Sequence, residues 1–380
     1  MKLKRRQILI GGMAAGITST IGTEYLQRKA AYERQKKLEA LVEKTPRDTD
    51  SLLEATFEAD ARKINQGKAI QASVKLTPPK IPYNRETSKL LILCSRIATE
   101  QYLKGKVDPD YDGSIKSLKN YSSKLDGYTQ IASFKGNDVE TEENIEVEVP
   151  TTAQSNSQDP VERDVNSAQN QVKKTVKEIV KLRQKVSVYI GFVLTSKTNN
   201  IIVFRGSQTR VEWINNLTAF QKDYTDPISG QHCGKIHLGF LDNYHEIIEP
   251  IPREIAKKLN PSVPCYISGH SLGAALATLA ALDIALNVPQ LRKQLQLYVY
   301  ASPRVGDATF AKLHNKMIPN SYRVVNNADA FNLVPPTNTL GIYIHIGQEW
   351  SFLSQNGDLL PNHVVDTYRA AINRGIETKQ

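Results

Sequence analysis

The residues best suited to chemistry lie at Gly269-His270-Ser271-Leu272-Gly273, where a serine stands between glycines two positions to either side. Before it, Pro264-Cys265-Tyr266-Ile267-Ser268 is a short apolar and aromatic run suited to a buried strand. After it, the Ala/Leu-rich stretch from Ala274 to Leu286 reads as a helix. A strand, a GxSxG and a helix in that order make a nucleophile elbow. The reason is steric: the serine occupies a strained, sharp turn in which a Cβ atom at position 269 or 273 would clash. The helix start offers backbone N–H groups to a developing oxyanion. Ala274, Ala275 and Ala277 let that helix lie close on the sheet. The chemistry indicated is acyl transfer with Ser271 as nucleophile, and the bland alternative is a Gly-rich structural turn.

A serine nucleophile needs a base, and the base needs a carboxylate to orient it. In α/β-hydrolases these follow in the order Ser, Asp or Glu, His. Only His314, His345 and His363 come after Ser271. His345 falls in the alternating run Ile342-Tyr343-Ile344-His345-Ile346, where a strand would pin its ring on one face. His363 sits in Leu360-Pro361-Asn362-His363, a loop just ahead of a helical stretch, from which an imidazole can reach a site. His363 is therefore preferred, with His345 second, and His270 is expected to point into the fold. For the acid, Asp329 follows the strand-like Tyr322-Arg323-Val324-Val325, and strand carboxyl ends are where such sheets place their sites. Asp283 lies inside the elbow helix and should face away, and Asp307 is expected to order its own loop.

The elements that must position these groups occupy the last two hundred residues. From Ser187 onward, short apolar runs alternate with amphipathic segments, the pattern of an α/β protein with a mostly parallel central sheet flanked by helices. Upstream, residues 24–69 are rich in Ala, Leu, Glu and Lys and read as a helical extension. Pro78, Pro79 and Pro82 mark a linker. Leu90 to Leu103 reads as a more apolar helix. The expected organisation is an export signal or anchor at 1–25, a helical extension and linker at 26–80, and a hydrolase domain at 83–375. Residues 136–168 are acidic and Ser/Gln/Asn-rich and read as a disordered insertion within that domain.

Charge and cysteine content exclude several classes. The 380 residues carry 49 Lys and Arg against 39 Asp and Glu, a net of +10. Residues 1–80 hold 16 basic and 9 acidic side chains, whereas 138–164 hold 9 acidic and one basic. There is no basic block beyond the N-terminus and no basic run interleaved with aromatics, so no nucleic-acid partner is expected. A mean hydropathy of −0.40 argues against a polytopic membrane protein. Cys94, Cys233 and Cys265 have no metal-ligand spacing and read as free thiols; no metal or cofactor is expected.

Six motifs in order resemble the class 3 lipases, the fungal-type triacylglycerol lipase family. They are Phe204-Arg205-Gly206-Ser207, the segment Glu212 to Leu217, His237-Leu238-Gly239-Phe240, the GHSLG elbow, Pro303-Arg304-Val305-Gly306, and the stretch Asp329 to Pro336. His363, with Tyr368 five residues on, is similar to the family's terminal histidine motif. The resemblance runs from about Val186 to Ala371. It implies an α/β-hydrolase fold with Ser271 as nucleophile, Asp329 as orienting acid and His363 as base. It further implies an oxyanion hole from the backbone N–H groups of Ser207 and Leu272. Trp213, Ile214 and Leu217 would belong to a mobile amphipathic lid, although Val211, Ile214 and Leu217 at helical spacing also suit plain core packing. Asn332 departs from the family, which usually has proline there.

These readings converge on a serine carboxylic-ester hydrolase that cleaves lipid acyl esters through an acyl-enzyme. A phospholipase or galactolipase, or a short-chain esterase, is the alternative. A non-catalytic envelope scaffold with a lipase fold is the second class, disfavoured because every triad position is filled. At the N-terminus, MKLKRR precedes the apolar stretch Ile8 to Gly22. Arg5-Arg6-Gln7 before Ile8-Leu9-Ile10 resembles a twin-arginine signal. Export to the periplasm or exterior is expected, or anchoring through an uncleaved leader; a cytoplasmic, membrane-associated protein is the alternative.

Overall fold

The strand-like runs of the second half assemble side by side. In the computed structural model, which describes residues 69–150, 175–206, 221–245, 251–335, 341–355 and 359–375, nine strands form two sheets. In chain order they are β1 (Thr129–Pro150), β2 (Thr175–Thr195), β3 (Asn200–Phe204), β4 (Gln221–Thr225), β5 (His232–His237), β6 (Cys265–His270), β7 (Leu295–Tyr300), β8 (Ser321–Asn326) and β9 (Gln348–Phe352). The main sheet has the order β1-β2-β3-β6-β7-β8-β9. β2 and β3 are antiparallel, whereas β3, β6, β7, β8 and β9 are parallel neighbours. β4 and β5 form a separate antiparallel pair. The mostly parallel sheet with helices against it is an α/β-hydrolase architecture.

Burial explains which runs became central. Every residue of β3, β7 and β8 is buried, as expected of parallel strands covered on both faces. On one face, Ile201, Val203, Tyr298, Tyr300, Tyr322 and Val324 join a core with helix α1 (Arg85–Val107). The elbow helix α4 (Leu272–Asn287) packs on β6, β7 and β3. Between α1 and α4 come the short α2 (Leu238–Asn243) and α3 (Ile251–Ala256). After α4 come α5 (Ala308–Met317), α6 (Leu359–His363) and α7 (Val365–Arg374). α4 is apolar on all sides, with fourteen of its residues buried, the pattern of a fully enclosed helix. Its one acid, Asp283, is buried against Arg253 Nη1 at 2.9 Å and Tyr244 Oη at 2.7 Å. Asp307 caps α5, accepting from Phe310 N at 2.8 Å.

The proline-broken stretch is not a free spacer. Asn315 Oδ1 accepts from Thr77 N at 2.7 Å, and Asn320 Oδ1 accepts from Lys80 N and Ile81 N at 3.0 Å each. The core tyrosines continue the attachment: Tyr298 Oη accepts from Asn84 N at 3.3 Å, and Tyr322 Oη donates to the Ile81 carbonyl. Proline removes backbone donors, but the flanking donors remain and are matched by asparagine and tyrosine side chains. Asn84 then caps α1, accepting from Thr87 N at 2.8 Å. α1 is longer than the apolar run at 90–103 suggested.

The segment read as a disordered insertion needs correcting. Gly136–Val188 forms a unit of its own, and its first part lies within β1, which continues to Pro150. Ile145-Glu146-Val147-Glu148-Val149 alternates with the two-residue period of a strand, a signal outweighed in the composition by acidic charge. Residues 151–168 lie outside the described residues, as do the leader at 1–25 and residues 26–68. The three cysteines are free and buried, and burial pushes the Cys94 and Cys265 thiols up to about 12.

Candidate active site

The elbow is built as its spacing demands. Ser271 has φ 58° and ψ −124°, a combination costly for a residue with a Cβ and kept only where the surroundings over-determine it. Ser271 N donates to Tyr300 O at 3.0 Å, tying the turn to β7. A Cβ on Gly269 would stand 2.1 Å from Gly273 O, and one on Gly273 would stand 2.5 Å from both Phe204 O and Arg205 O. The two glycines thus admit the turn on itself and α4 against the end of β3. Gly206 closes in as well, since a Cβ there would be 2.9 Å from His270 O.

Register delivers the remaining groups. His270 pairs with Tyr300 across β6 and β7, Tyr300 with Val324 across β7 and β8, and Asn326 with Phe352 across β8 and β9. The carboxyl ends of β6 and β8 therefore open on the same edge, and Asp329 lies three residues beyond Asn326. Its side chain caps a short 3₁₀ turn, with Oδ1 accepting from Phe331 N at 2.9 Å. The α6–α7 segment brings His363 to this edge: Nε2 is 2.8 Å from Ser271 Oγ, and Nδ1 is 2.9 Å from Asp329 Oδ2 and 3.1 Å from Oδ1. Ser271, Asp329 and His363 are all buried. The carboxylate can only accept from Nδ1–H, which leaves Nε2 to receive the serine proton.

A supporting ring surrounds the three. Tyr368 Oη donates to Asp329 Oδ2 at 2.6 Å and accepts from Asn326 N at 3.1 Å. Burial, followed by the charge of Asp329, pushes the Tyr368 hydroxyl well above its ordinary value and keeps it a donor. Phe331 lies over the His363 ring with centroids 3.9 Å apart. His270 points into the fold, its Nε2 donating to the His363 carbonyl at 2.7 Å, and burial holds it neutral, well below its usual value. Tyr368 was visible in the sequence only through resemblance. Phe331, two residues past Asp329, carried no separable signal.

The two candidate histidines lie in different places. His345 does not belong to a continuous strand: isolated bridge residues at Ile342 and Ile344 mark its run, Ile344 pairing with Gly306, and Gly347 turns at φ +67° before β9 begins. Its Nε2 faces Asn332 O at 2.7 Å. His363, expected in a loop, is instead the last residue of the short α6, immediately before α7.

Leu272 opens α4, where helix geometry leaves the first N–H groups without an intrahelical acceptor. Ser207, Trp213, Ile214 and Leu217 lie outside the described residues. Among the described residues, no group of three or more His, Cys, Asp or Glu could hold a metal ion. A cavity of about 910 Å³ opens elsewhere, walled by Tyr111, Tyr128, Gln130 and Tyr189, and none of the three site residues lines it.

Residues 201–339 match the family model for lipase (class 3). A lipase of Rhizomucor miehei is 38% identical over 153 residues, covering 39% of this chain and 40% of that protein. A secreted mono- and diacylglycerol lipase A of Penicillium cyclopium is 33% identical over 172 residues, covering 44% and 52%. A chloroplastic phospholipase A(1) of Arabidopsis thaliana is 34% identical over 149 residues, covering 36% and 33%. The chain spans about half or less of the length of these relatives. A solved triacylglycerol lipase with a serine-protease triad shares 33% identity at a TM-score of 0.38, covering 43% of this chain and 61% of that one. The matched stretch is similar to class 3 lipases and carries the parallel strands β3, β6, β7 and β8 of the main sheet.

Proposed function

We propose that this protein is a serine carboxylic-ester hydrolase that cleaves lipid acyl esters, with Ser271 as nucleophile, His363 as general base and Asp329 as orienting acid. The observation that carries the reading is the unbroken series from Ser271 Oγ to His363 Nε2 at 2.8 Å and from His363 Nδ1 to Asp329 Oδ2 at 2.9 Å. As Ser271 Oγ attacks the ester carbonyl, its proton passes to His363 Nε2. Asp329 balances the imidazolium. The carbonyl oxygen becomes an oxyanion beside the N-terminus of α4, where the Leu272 N–H and the helix dipole stabilise it by about 3 kcal/mol per donor. Ser207 N–H is the second donor of the proposal. Collapse returns the proton to the leaving alcohol and leaves Ser271 acylated; water, deprotonated by His363, then releases the fatty acid.

Acylglycerols are the preferred substrates, in line with the Rhizomucor and Penicillium relatives. The Arabidopsis phospholipase relative favours a second reading, in which the ester belongs to a phospholipid. Trp213, Ile214 and Leu217 are assigned to a lid over the site. Export follows the basic, apolar leader and the secreted relatives; among the described residues no helix is long and apolar enough to cross a membrane. The decisive experiment is hydrolysis of a panel of acylglycerols, phospholipids and galactolipids by the wild type and Ser271→Ala, with fluorophosphonate labelling of Ser271. Labelling together with acylglycerol turnover, both lost in Ser271→Ala, is expected. A folded wild type that neither labels nor hydrolyses any ester overturns the reading.

A further inference from the structure

The segment ahead of α1 reaches the site by a route that the reaction itself does not require. Gln71, in a helical turn at 69–73, clamps the backbone of His345 from both sides. His345 N donates to Gln71 Oε1 at 2.7 Å, and Gln71 Nε2 donates to His345 O at 3.2 Å. The His345 ring then holds the Asn332 carbonyl through Nε2 at 2.7 Å. A carbonyl only accepts, so this ring carries its proton on Nε2. Burial, with the Arg323 and Arg304 guanidinium groups, holds His345 well below its ordinary value. It is a neutral strut of fixed tautomer.

Asn332 transmits the constraint. Its Nδ2 donates to Asp329 O at 3.0 Å and Asn326 O at 3.1 Å, closing the turn that carries the acid. Arg304 grips the following carbonyls, with Nη1 donating to Leu333 O at 2.5 Å and Pro335 O at 2.9 Å. Proline, usual in the family at position 332, would lack the side-chain donor that closes this turn; asparagine supplies it.

We infer that Gln71 is a positioning residue for the acid Asp329, acting through His345 and Asn332, so that the N-terminal segment is part of the catalytic architecture rather than an appendage to it. The inference rests on the proposed role of Asp329. It makes a specific demand: Gln71 should matter to turnover only while the His345 ring is there to relay it.

The test is a double-variant cycle on the full chain with Gln71→Ala, His345→Ala and the pair, at a temperature well below unfolding, with kcat expressed per fluorophosphonate-titrated site. Gln71→Ala is expected to lower kcat about tenfold, with KM changing less than about twofold. His345→Gln, which keeps a donor at similar reach, should recover most of the activity lost in His345→Ala and serves if the alanine variant does not fold. The pair should be no worse than His345→Ala alone, because coupled residues do not add. The low-field proton resonance of the His363 Nδ1–H shared with Asp329 should shift or broaden in Gln71→Ala. Wild-type kcat per site in Gln71→Ala, or losses that multiply in the pair, overturns the inference. If the wild type hydrolyses no ester, the proposed function fails, and the resonance still decides the positioning role: an unchanged signal in Gln71→Ala overturns it.

Discussion

The hydroxyl of Tyr368 donates to Asp329 Oδ2 at 2.6 Å, the oxygen that also receives His363 Nδ1 at 2.9 Å. One face of the acid is thus set by α7, which also carries the chain away from the base. Tyr368→Phe removes this donor and leaves the buried Asn326 N–H without its 3.1 Å acceptor. The expected cost is about 1–3 kcal/mol of stability for the unpaired buried group, and about a tenfold fall in kcat as the carboxylate loses a restraint. Denaturant unfolding and steady-state kinetics on one preparation measure both, and wild-type values would remove Tyr368 from the site's support.

The elbow glycines make a sharper prediction. A Cβ at position 273 meets two main-chain oxygens of the β3 end at 2.5 Å, and backbone in a central strand cannot swing aside. Gly273→Ala should cost at least about 2 kcal/mol and abolish labelling of Ser271. Gly127→Ala, where nothing lies within 4 Å of the added methyl, should be near neutral. Thermal unfolding of the two variants compares them directly, and equal midpoints would contradict the close approach.

Phe331 lies over the His363 imidazole with ring centroids 3.9 Å apart. Phe331→Leu retains apolar bulk but gives up the tilted aromatic contact, 33° between ring planes, against the imidazole. Turnover should drop several-fold while stability falls by less than about 1.5 kcal/mol. A large stability loss with unchanged turnover per labelled site would assign Phe331 to packing alone.

Stability should depend steeply on mild acid. Burial lowers His314 to about 3 and holds His270 and His345 well below the ordinary value of 6.5. Each ring stays neutral in the folded chain while the unfolded chain takes up a proton below pH 6.5. Stability contributed by this difference is complete above pH 6.5 and is lost as pH falls toward the folded values, by up to about 1.4 kcal/mol per pH unit for each histidine. Unfolding free energies measured between pH 8 and pH 5 should be flat at the upper end and fall below about 6.5. His314→Gln should reduce the steepness by about a third. A curve that remains flat down to pH 5 would mean that the rings are protonated in the fold.

The elbow was legible because its constraint is local. Two glycines four residues apart, an apolar run before them and an alanine-rich helix after them express a steric demand within nine or ten residues. The same locality made β8 and α1 readable, and placed Asp329 at the end of a strand. The acidic stretch after Lys135 was misjudged because composition and periodicity disagreed: net charge suggested an unstructured insertion, whereas the alternation at 145–149 belongs to β1.

By itself, the sequence determined the sharp turn at Ser271, the strand runs at 264–268 and 322–325 and the short set of histidines that follow the serine. It preferred His363 to His345 because His363 precedes a helical stretch, but neither has a local partner to reveal where its ring goes. Only the tertiary structure placed the two rings. Parallel register aligns the ends of β6 and β8, the α6–α7 segment carries His363 to 2.8 Å from Ser271 Oγ, and the turn before β9 sends His345 to Asn332 O instead. It also showed that Gln71 reaches His345 across 274 residues of chain. Such contacts depend on where strands and connecting segments converge in space, and no spacing along the chain encodes them.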